Sequence, residues 1–292
     1  MTALALALAV VTVAGACGAG RTSTDAGDRD RARPAASEQR PSGPQRYEVE
    51  GLVFETERRD EAVLCLGGAT DTMPPQCNEL RLKRWSWGAV PDERTMGSTT
   101  YGDYTLTGLY DGRSFTVLDA RPYRDPPRRP DPIDEACPEP PGGWDIPDPE
   151  MASGRDRMRA LAAARAEPDY AGTWVTYVGR PTEWSRGPDI VLGLAFTGDL
   201  DEHEAEIRRL WGGGLCLVEH ERTWARVREI AREVWGPVRR ELGLEIDWMA
   251  PGEVENNVAV GVVTADPEDQ RELDERYGEG AVDLQPIIRP VP

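Results

Sequence analysis

DYTLTGLYDGRSFTVL, residues 103–118, consists of two runs of alternating apolar and polar side chains on either side of Asp111-Gly112. An Asp-Gly dipeptide between two alternating runs is a strong signal for a β-hairpin with a tight turn. We therefore expect antiparallel strands at 103–110 and 114–118, and this hairpin sets the class of the N-terminal half.

Three more strands are predicted upstream of the hairpin. They lie at 47–55 (YEVEGLVFE), 62–66 and 79–87 (ELRLKRWSW), the last of which places Leu80, Leu82 and one of Trp85 and Trp87 inward. Several short strands separated by turn residues favour a small closed or partly closed sheet. We expect a β-barrel-like (OB-like) domain over residues 47–121.

Residues 151–292 alternate helical and strand patterns. Helices are predicted at 155–166, 199–211, 223–241 with a kink at Gly236-Pro237, and 267–277; strands are predicted at 173–178, 190–196, 215–218, 244–248, 258–263 and 282–288. Such alternation favours one mixed sheet with helices on a single face. The prediction is a ferredoxin-like α/β domain, so the fold class of the whole chain is α+β.

The two predicted domains are joined by residues 122–150, which contain ten prolines. Proline removes a backbone donor and fixes φ, so this composition favours an extended Pro-rich linker. A disulfide from Cys137 would hold the linker against the second domain.

Residues 1–16 (MTALALALAVVTVAGA) carry no charge and are short for a membrane-spanning helix, which fits a signal peptide. Ala14-Gly15-Ala16-Cys17 resembles the lipobox of bacterial lipoproteins, which implies lipidation of Cys17; a cleaved signal without lipid is the alternative. Residues 17–46 contain no Val, Ile, Leu or aromatic residue and are predicted to be a disordered tether.

Four cysteines remain after Cys17, and an even number in an exported protein implies disulfides. Three connectivities are possible. Cys65 and Cys77 share one short Pro/Gly-rich loop, so we pair them with each other and pair Cys137 with Cys216. Zinc is disfavoured because the cysteines lack CxxC spacing.

The net charge is −18, with 52 acidic and 34 basic residues. Such an acidic chain is repelled by phosphate backbones, which argues against nucleic-acid binding. Residues 187–292 hold 23 acidic and 11 basic side chains. The simple interpretation is a soluble acidic surface, and the alternative is docking to a basic partner.

No catalytic, cofactor or metal motif stands out. The two histidines are His203 and His220. His203 begins a run that is similar to HExxH, but Ile207 stands where the second histidine would be. We predict that His203 is a solvated residue of a first helical turn. No GxSxG or SxxK nucleophile motif occurs. Carboxylate pairs could serve a hydrolase, but the sequence selects none.

Nine tryptophans offer a candidate binding surface, with Trp85, Trp87 and Trp184 as its members. Exposed aromatic rings stack on sugars or anchor protein partners. The other interpretation is that these rings belong to a core.

The segments LCLGGATDTMPPQC, Trp85-x-Trp87 and WGGGLCLVEHERTWARVREI resemble a group of uncharacterised exported actinobacterial lipoproteins. The resemblance implies a cell-envelope location. More weakly, residues 256–284 are similar to the α/β pro-segments of secreted bacterial serine proteases.

We expect a non-catalytic cell-envelope lipoprotein, anchored to the outer face of the cell membrane, that binds an envelope protein or glycan. Two alternatives stay open: a protease inhibitor or chaperone of the pro-segment type, and an envelope hydrolase that uses carboxylates.

Overall fold

A computed structural model describes residues 44–58, 61–127, 130–179 and 187–291. The architecture is α+β, as predicted, with one large sheet and two small ones. The described residues belong to one unit.

Thirteen strands are formed by the described residues. They are β1 (Arg46–Thr56), β2 (Val63–Leu66), β3 (Asn78–Lys83), β4 (Arg94–Met96), β5 (Thr99–Tyr110), β6 (Ser114–Pro122), β7 (Tyr170–Tyr177), β8 (Ile190–Phe196), β9 (Gly214–Glu219), β10 (Ile246–Gly252), β11 (Asn257–Val262), β12 (Val282–Pro286) and β13 (Ile288–Val291).

The α-helices are α1 (Pro132–Ala136), α2 (Gly154–Ala164), α3 (Leu200–Arg208), α4 (Trp224–Glu233), α5 (Arg239–Glu241) and α6 (Pro267–Tyr277). Short 3₁₀ turns lie at Trp87–Ala89, Pro149–Met151 and Gly187–Asp189. A π-helical turn, Val234–Val238, joins α4 to α5 at the kink predicted from Gly236-Pro237.

Five strands of the large sheet pair in a ring, in the order β1, β2, β3, β6, β5 and back to β1. The ring is unevenly closed: β1 and β5 share ten residue pairs, whereas β3 and β6 share three and β1 and β2 share two. Its interior is filled by buried apolar side chains, among them Val49, Leu64, Leu82, Leu106 and Phe115.

The predicted hairpin is confirmed as β5 and β6. Asp111 accepts hydrogen bonds from the backbone of Arg113 at 3.0 Å and of Ser114 at 2.8 Å. Gly112 has a φ of 83°, a conformation that glycine adopts without steric cost. Lys83 of β3 donates to the Asp111 carboxylate at 3.0 Å, which ties the turn to the neighbouring strand.

The last strand returns to the first. β13 pairs antiparallel with the beginning of β1, from Arg46↔Val291 to Val49↔Ile288. Together with β4 on the other edge, β13 extends the ring to a seven-stranded sheet.

The predicted single ferredoxin-like sheet is not formed. Two three-stranded sheets take its place, β7-β8-β9 and β10-β11-β12. In each, two antiparallel strands are followed by a helix and a parallel third strand, and each unit is preceded by a helix. The order α-β-β-α-β thus occurs twice, so local periodicity predicted the elements but not the sheet to which they belong.

The linker lies against the first of these sheets. Asp131 caps the short helix α1 by accepting from the Ile133 backbone at 3.0 Å, so the segment is not extended throughout. Cys137 is buried in a cluster with Ala171, Trp174 and Ala195. Among the described residues, no helix has the length and apolar character needed to cross a bilayer.

Candidate functional site

Both predicted disulfides are confirmed, Cys65–Cys77 and Cys137–Cys216. The first closes a loop that is held by two hydrogen bonds. The Thr70 backbone N–H donates to the Gln76 carbonyl at 3.1 Å, and the Gln76 backbone N–H donates to the Thr70 hydroxyl at 3.0 Å. At the base of the loop, Asn78 donates to Asp247 at 3.3 Å. This disulfide-closed segment, residues 65–77, is called the disulfide loop below.

The disulfide loop borders a break in the large sheet. On the same side of β1, β13 pairs with Arg46–Val49 and β2 pairs with Val53 and Phe54. Within the described chain no strand pairs with that side at Glu50–Leu52. A strand edge with unpaired backbone groups is a place where another chain can bind.

Gly51 sits at the centre of this break. A β-carbon at residue 51 would lie 2.6 Å from the Cys65 carbonyl oxygen, a distance that real β-carbons do not show. Glycine in a strand marks the close approach of another backbone. The glycine therefore lets the Cys65 carbonyl of β2 approach β1 closely where the pairing changes.

A groove of about 570 Å³ lies over the break, within the usual size of ligand sites. Its lining includes Leu52, Cys65 and the disulfide loop from Gly67 to Asp71. Pro286, Ile287 and Arg289 also line the groove, together with Asp103 and Tyr123.

The groove carries more acidic than basic side chains. Its ionisable residues besides Tyr123 and the disulfide are Glu50, Asp71, Asp103 and Arg289. Arg289 lies 3.3 Å from the Glu50 carboxylate, and Asp103 is paired with Arg94 at 2.9 Å. Asp71 is exposed and has no ion pair among the described residues. Apolar lining residues beside an excess of carboxylates suit a ligand with both an apolar part and a positive charge.

The structure brings Trp85 and Trp87 together, away from the groove lining. Their rings meet edge to face with centroids 5.2 Å apart, and Trp85 contacts Tyr104 in the same way at 5.1 Å. Both are half-buried against the interior of the strand ring. Trp87 donates to Glu55 at 2.6 Å, and the Trp85 indole nitrogen is buried without a partner in the described residues. Trp184 and Cys17 lie outside the described residues.

The prediction that His203 is a solvated residue is wrong. Its relative exposure is 8%, its ring stacks on Phe196 at 3.7 Å, and Nε2 lies 2.8 Å from the Asp169 carboxylate. The spacing of His203 and Ile207, which puts both on the buried face of α3, is the signal that identifies a core position. A cavity of about 220 Å³ beside the ring has no Ser, Thr or Cys in its lining.

The other side chains that could bind a metal ion are not brought together in the described part of the chain. In the part of the chain that the structure describes, no group of three or more His, Cys, Asp or Glu side chains is placed to hold a metal ion. His220 is half-buried, donates through Nε2 to the Glu253 carbonyl at 3.1 Å, and has its pKa lowered by burial.

The groove residues were not singled out by the sequence. Glu50 and Arg289 are far apart in the chain, and nothing local marks them as partners. Gly51 inside an alternating strand is the one local signal, because a glycine there indicates a bulge or a close backbone approach.

No protein-family model matches the chain, and no curated protein matches it at a significant level.

Proposed function

We propose that this protein is an exported, non-catalytic binding protein, anchored through Cys17 to the outer face of the cell membrane. Its site is the groove over the break in the large sheet, beside Glu50–Leu52 of β1. Its ligand is a positively charged segment of a partner polypeptide. The observation that carries the proposal is the acidic groove at an unpaired strand edge, bounded by a disulfide-closed loop.

The extracytoplasmic location is supported by the chemistry of the cysteines. Disulfides persist in oxidising compartments and are rare in the cytosol. Both disulfides in the structure join cysteines predicted to pair, while Cys17, which follows the apolar segment 1–16, takes no part in either. This distribution fits one lipidated cysteine and four structural ones.

The pairing order of the strand ring supports an OB-like barrel as the N-terminal body. In that interpretation β1 is the strand shared between the two halves of the barrel, and the groove lies on its outer wall. Ligands of such small barrels commonly bind on an outer strand face and its bordering loops. Here the disulfide loop is the bordering loop.

The class of ligand follows from the lining. A basic side chain would find the carboxylates of Glu50, Asp71 and Asp103 within one groove, and its aliphatic part would lie on Leu52. The unpaired side of Glu50–Leu52 offers backbone hydrogen bonds to an extended chain. Acidic ligands are disfavoured, because the lining carries three carboxylates and one arginine, and Asp71 has no ion pair among the described residues.

The test of the groove is peptide binding by the full chain. Fluorescent peptides with increasing numbers of arginine and lysine are titrated against the wild-type protein, Asp71→Lys and Glu275→Lys. The two variants change the net charge equally, and both replaced residues are exposed and without ion pairs among the described residues.

We expect basic peptides to bind, and Asp71→Lys to weaken binding roughly tenfold while Glu275→Lys has little effect. Equal weakening by both variants would show that only the overall charge attracts the peptides. No binding of any basic peptide would overturn the proposed ligand class.

The test of the anchor is separate. Cells that make the full chain are labelled with a radioactive fatty acid, and the protein is followed in membrane and soluble fractions. We expect label on the wild type and none on Cys17→Ser, which should leave the membrane fraction. An unlabelled wild-type protein in the soluble fraction would refute lipidation without bearing on the groove.

A further inference from the structure

Arginine is concentrated in one segment of an otherwise acidic half. Six of the eleven arginines of residues 187–292 lie within residues 222–240, alongside only Glu229 and Glu233. The rest of that half has 21 acidic and five basic side chains. Residues 222–240 are therefore a local positive region on a protein of net charge −18.

Part of this region forms a continuous outward face. Arg228, Arg232, Trp235 and Arg239 are spaced four, three and four residues apart along α4, the π-helical turn and α5, and each is exposed or half-exposed. The opposite side is buried, through Val227, Ile230, Ala231, Val234 and Val238. We call Arg228, Arg232, Trp235, Arg239 and the exposed Arg240 the arginine–tryptophan stripe.

Trp235 is the most exposed of the tryptophans in the described residues, with 47% of its surface open. It lies in the π-helical turn between α4 and α5. The guanidinium of Arg239 stands 5.2 Å from the centre of its ring. The exposed surface here therefore combines an apolar indole ring with a positively charged guanidinium beside it.

The arginines of the stripe are not neutralised by carboxylates of the described residues. Among the described residues, no Asp or Glu lies within ion-pair distance of Arg228, Arg232, Arg239 or Arg240. Neighbouring Arg226, by contrast, pairs with Glu229 at 2.6 Å and with Glu233 at 3.9 Å. The stripe thus keeps its positive charge available to an external partner.

We propose that the arginine–tryptophan stripe docks the folded body onto an anionic lipid surface. Arginine and tryptophan are the side chains that favour the headgroup region, the first by charge and the second by its amphipathic ring. The stripe lines neither the groove nor the cavity beside His203, so a planar partner fits it better than a small ligand.

The negative charge of the whole protein does not prevent this contact. Charges more than about 10 Å away are largely screened at ordinary ionic strength, so a bilayer responds mainly to the side chains nearest to it. The location at a membrane rests on the proposed function, but the affinity of the stripe for anionic lipid does not need the Cys17 anchor.

The experiment is hydroxyl-radical footprinting of the full chain mixed with lipid vesicles. One set of vesicles is phosphatidylcholine alone, and the other also contains phosphatidylglycerol. The readout is the oxidation rate of Trp235. Met96 and Met158, with 54% and 56% of their surfaces exposed, serve as internal standards.

We expect anionic vesicles to slow Trp235 oxidation several-fold, with Met96 and Met158 unchanged, and high salt to reverse the protection. The double variant Arg228→Glu/Arg232→Glu should lose this protection. Arg113→Glu/Arg155→Glu, which alters the net charge equally at exposed positions on the β5–β6 hairpin and on α2, should keep it.

Three results would overturn the proposal: equal protection in both kinds of vesicle, protection that survives in the stripe variant, or no protection at all. Protection of Trp235 at high protein concentration without lipid would assign the stripe to a contact between copies. Failure of the full chain to bind neutral vesicles would contradict the Cys17 anchor alone. The stripe is tested by the difference in Trp235 protection between the two lipid compositions.

Discussion

Trp174 lies across Gly193, its cross-strand partner in the first three-stranded sheet, so closely that a β-carbon on Gly193 would overlap the indole. Trp248 stands in the same relation to Gly261 in the second sheet. In each α-β-β-α-β unit, a tryptophan on the first strand thus occupies the space left by a glycine on the second.

Replacing Gly193 by alanine should destabilise the protein by about 1–3 kcal/mol, because the new methyl group must displace a buried indole. Gly261→Ala should act in the same direction, less severely since Trp248 is only half-buried. Urea unfolding measures both. Gly154→Ala, where nothing lies near the added carbon, is the control and should leave stability unchanged or slightly higher. An unfolding midpoint of Gly193→Ala equal to wild type would contradict the packing.

The two disulfides should contribute unequally. Cys137–Cys216 spans 79 residues and Cys65–Cys77 spans 12, so the chain-entropy model gives roughly 4–5 and 3 kcal/mol respectively. Thermal unfolding of Cys137→Ala/Cys216→Ala and Cys65→Ala/Cys77→Ala compares them directly. A larger loss from the shorter loop would mean that the disulfide loop stabilises the fold through contacts rather than through chain entropy.

The Asp111 turn should respond to acid. Hydrogen bonds from Ser114 and from Lys83, the single lysine, hold the pKa of this carboxyl well below its ordinary value. Because the folded pKa is depressed, the stabilisation is complete above about pH 4 and is lost as the pH falls further. Asp111→Asn should therefore show a flatter decline of the urea midpoint below pH 4. Asp145→Asn, at an exposed carboxylate without contacts in the described residues, should decline as wild type does.

His220 should make stability fall on mild acidification. Burial lowers its pKa below the ordinary value of 6.5, so the folded state keeps the ring neutral while the unfolded state takes up a proton. The free energy of unfolding should then decrease as the pH drops below about 6.5. His220→Gln, which keeps a donor for the Glu253 carbonyl, should remove this part of the slope. An unchanged slope in the variant would show that another group is responsible.

Local signals account for what the sequence predicted correctly. The Asp-Gly turn, the paired cysteines of one short loop and the proline that begins α6 each act within a few residues. Thr223 likewise caps α4 by accepting from the Arg226 backbone at 3.2 Å. Such features depend on neighbouring residues alone, so they can be identified from a single amino-acid sequence.

The groove and the sheet arrangement depend on contacts between distant residues. Alternation showed that 190–196 and 258–263 are strands, but it carried no information on whether they share a sheet. The pairing of Arg289 with Glu50 requires β13 to lie beside β1, which no local pattern indicates. The half-buried packing of Trp85 and Trp87 agrees with the interpretation that these rings belong to a core. Their contact with Tyr104, a residue of another strand, could not be predicted from the sequence.

The pairing of β13 with β1 has a consequence for the time at which the fold can be completed. Gln45 and Val291, 246 positions apart, are joined by a hydrogen bond of 3.0 Å. The pairing of β1 with β13 therefore cannot form until the last described strand has been synthesised. Contacts of such long range form slowly. Until residues 288–291 have been translated, the side of β1 at Arg46–Val49 stays open. A chaperone that binds the nascent chain would therefore have a defined strand edge to protect.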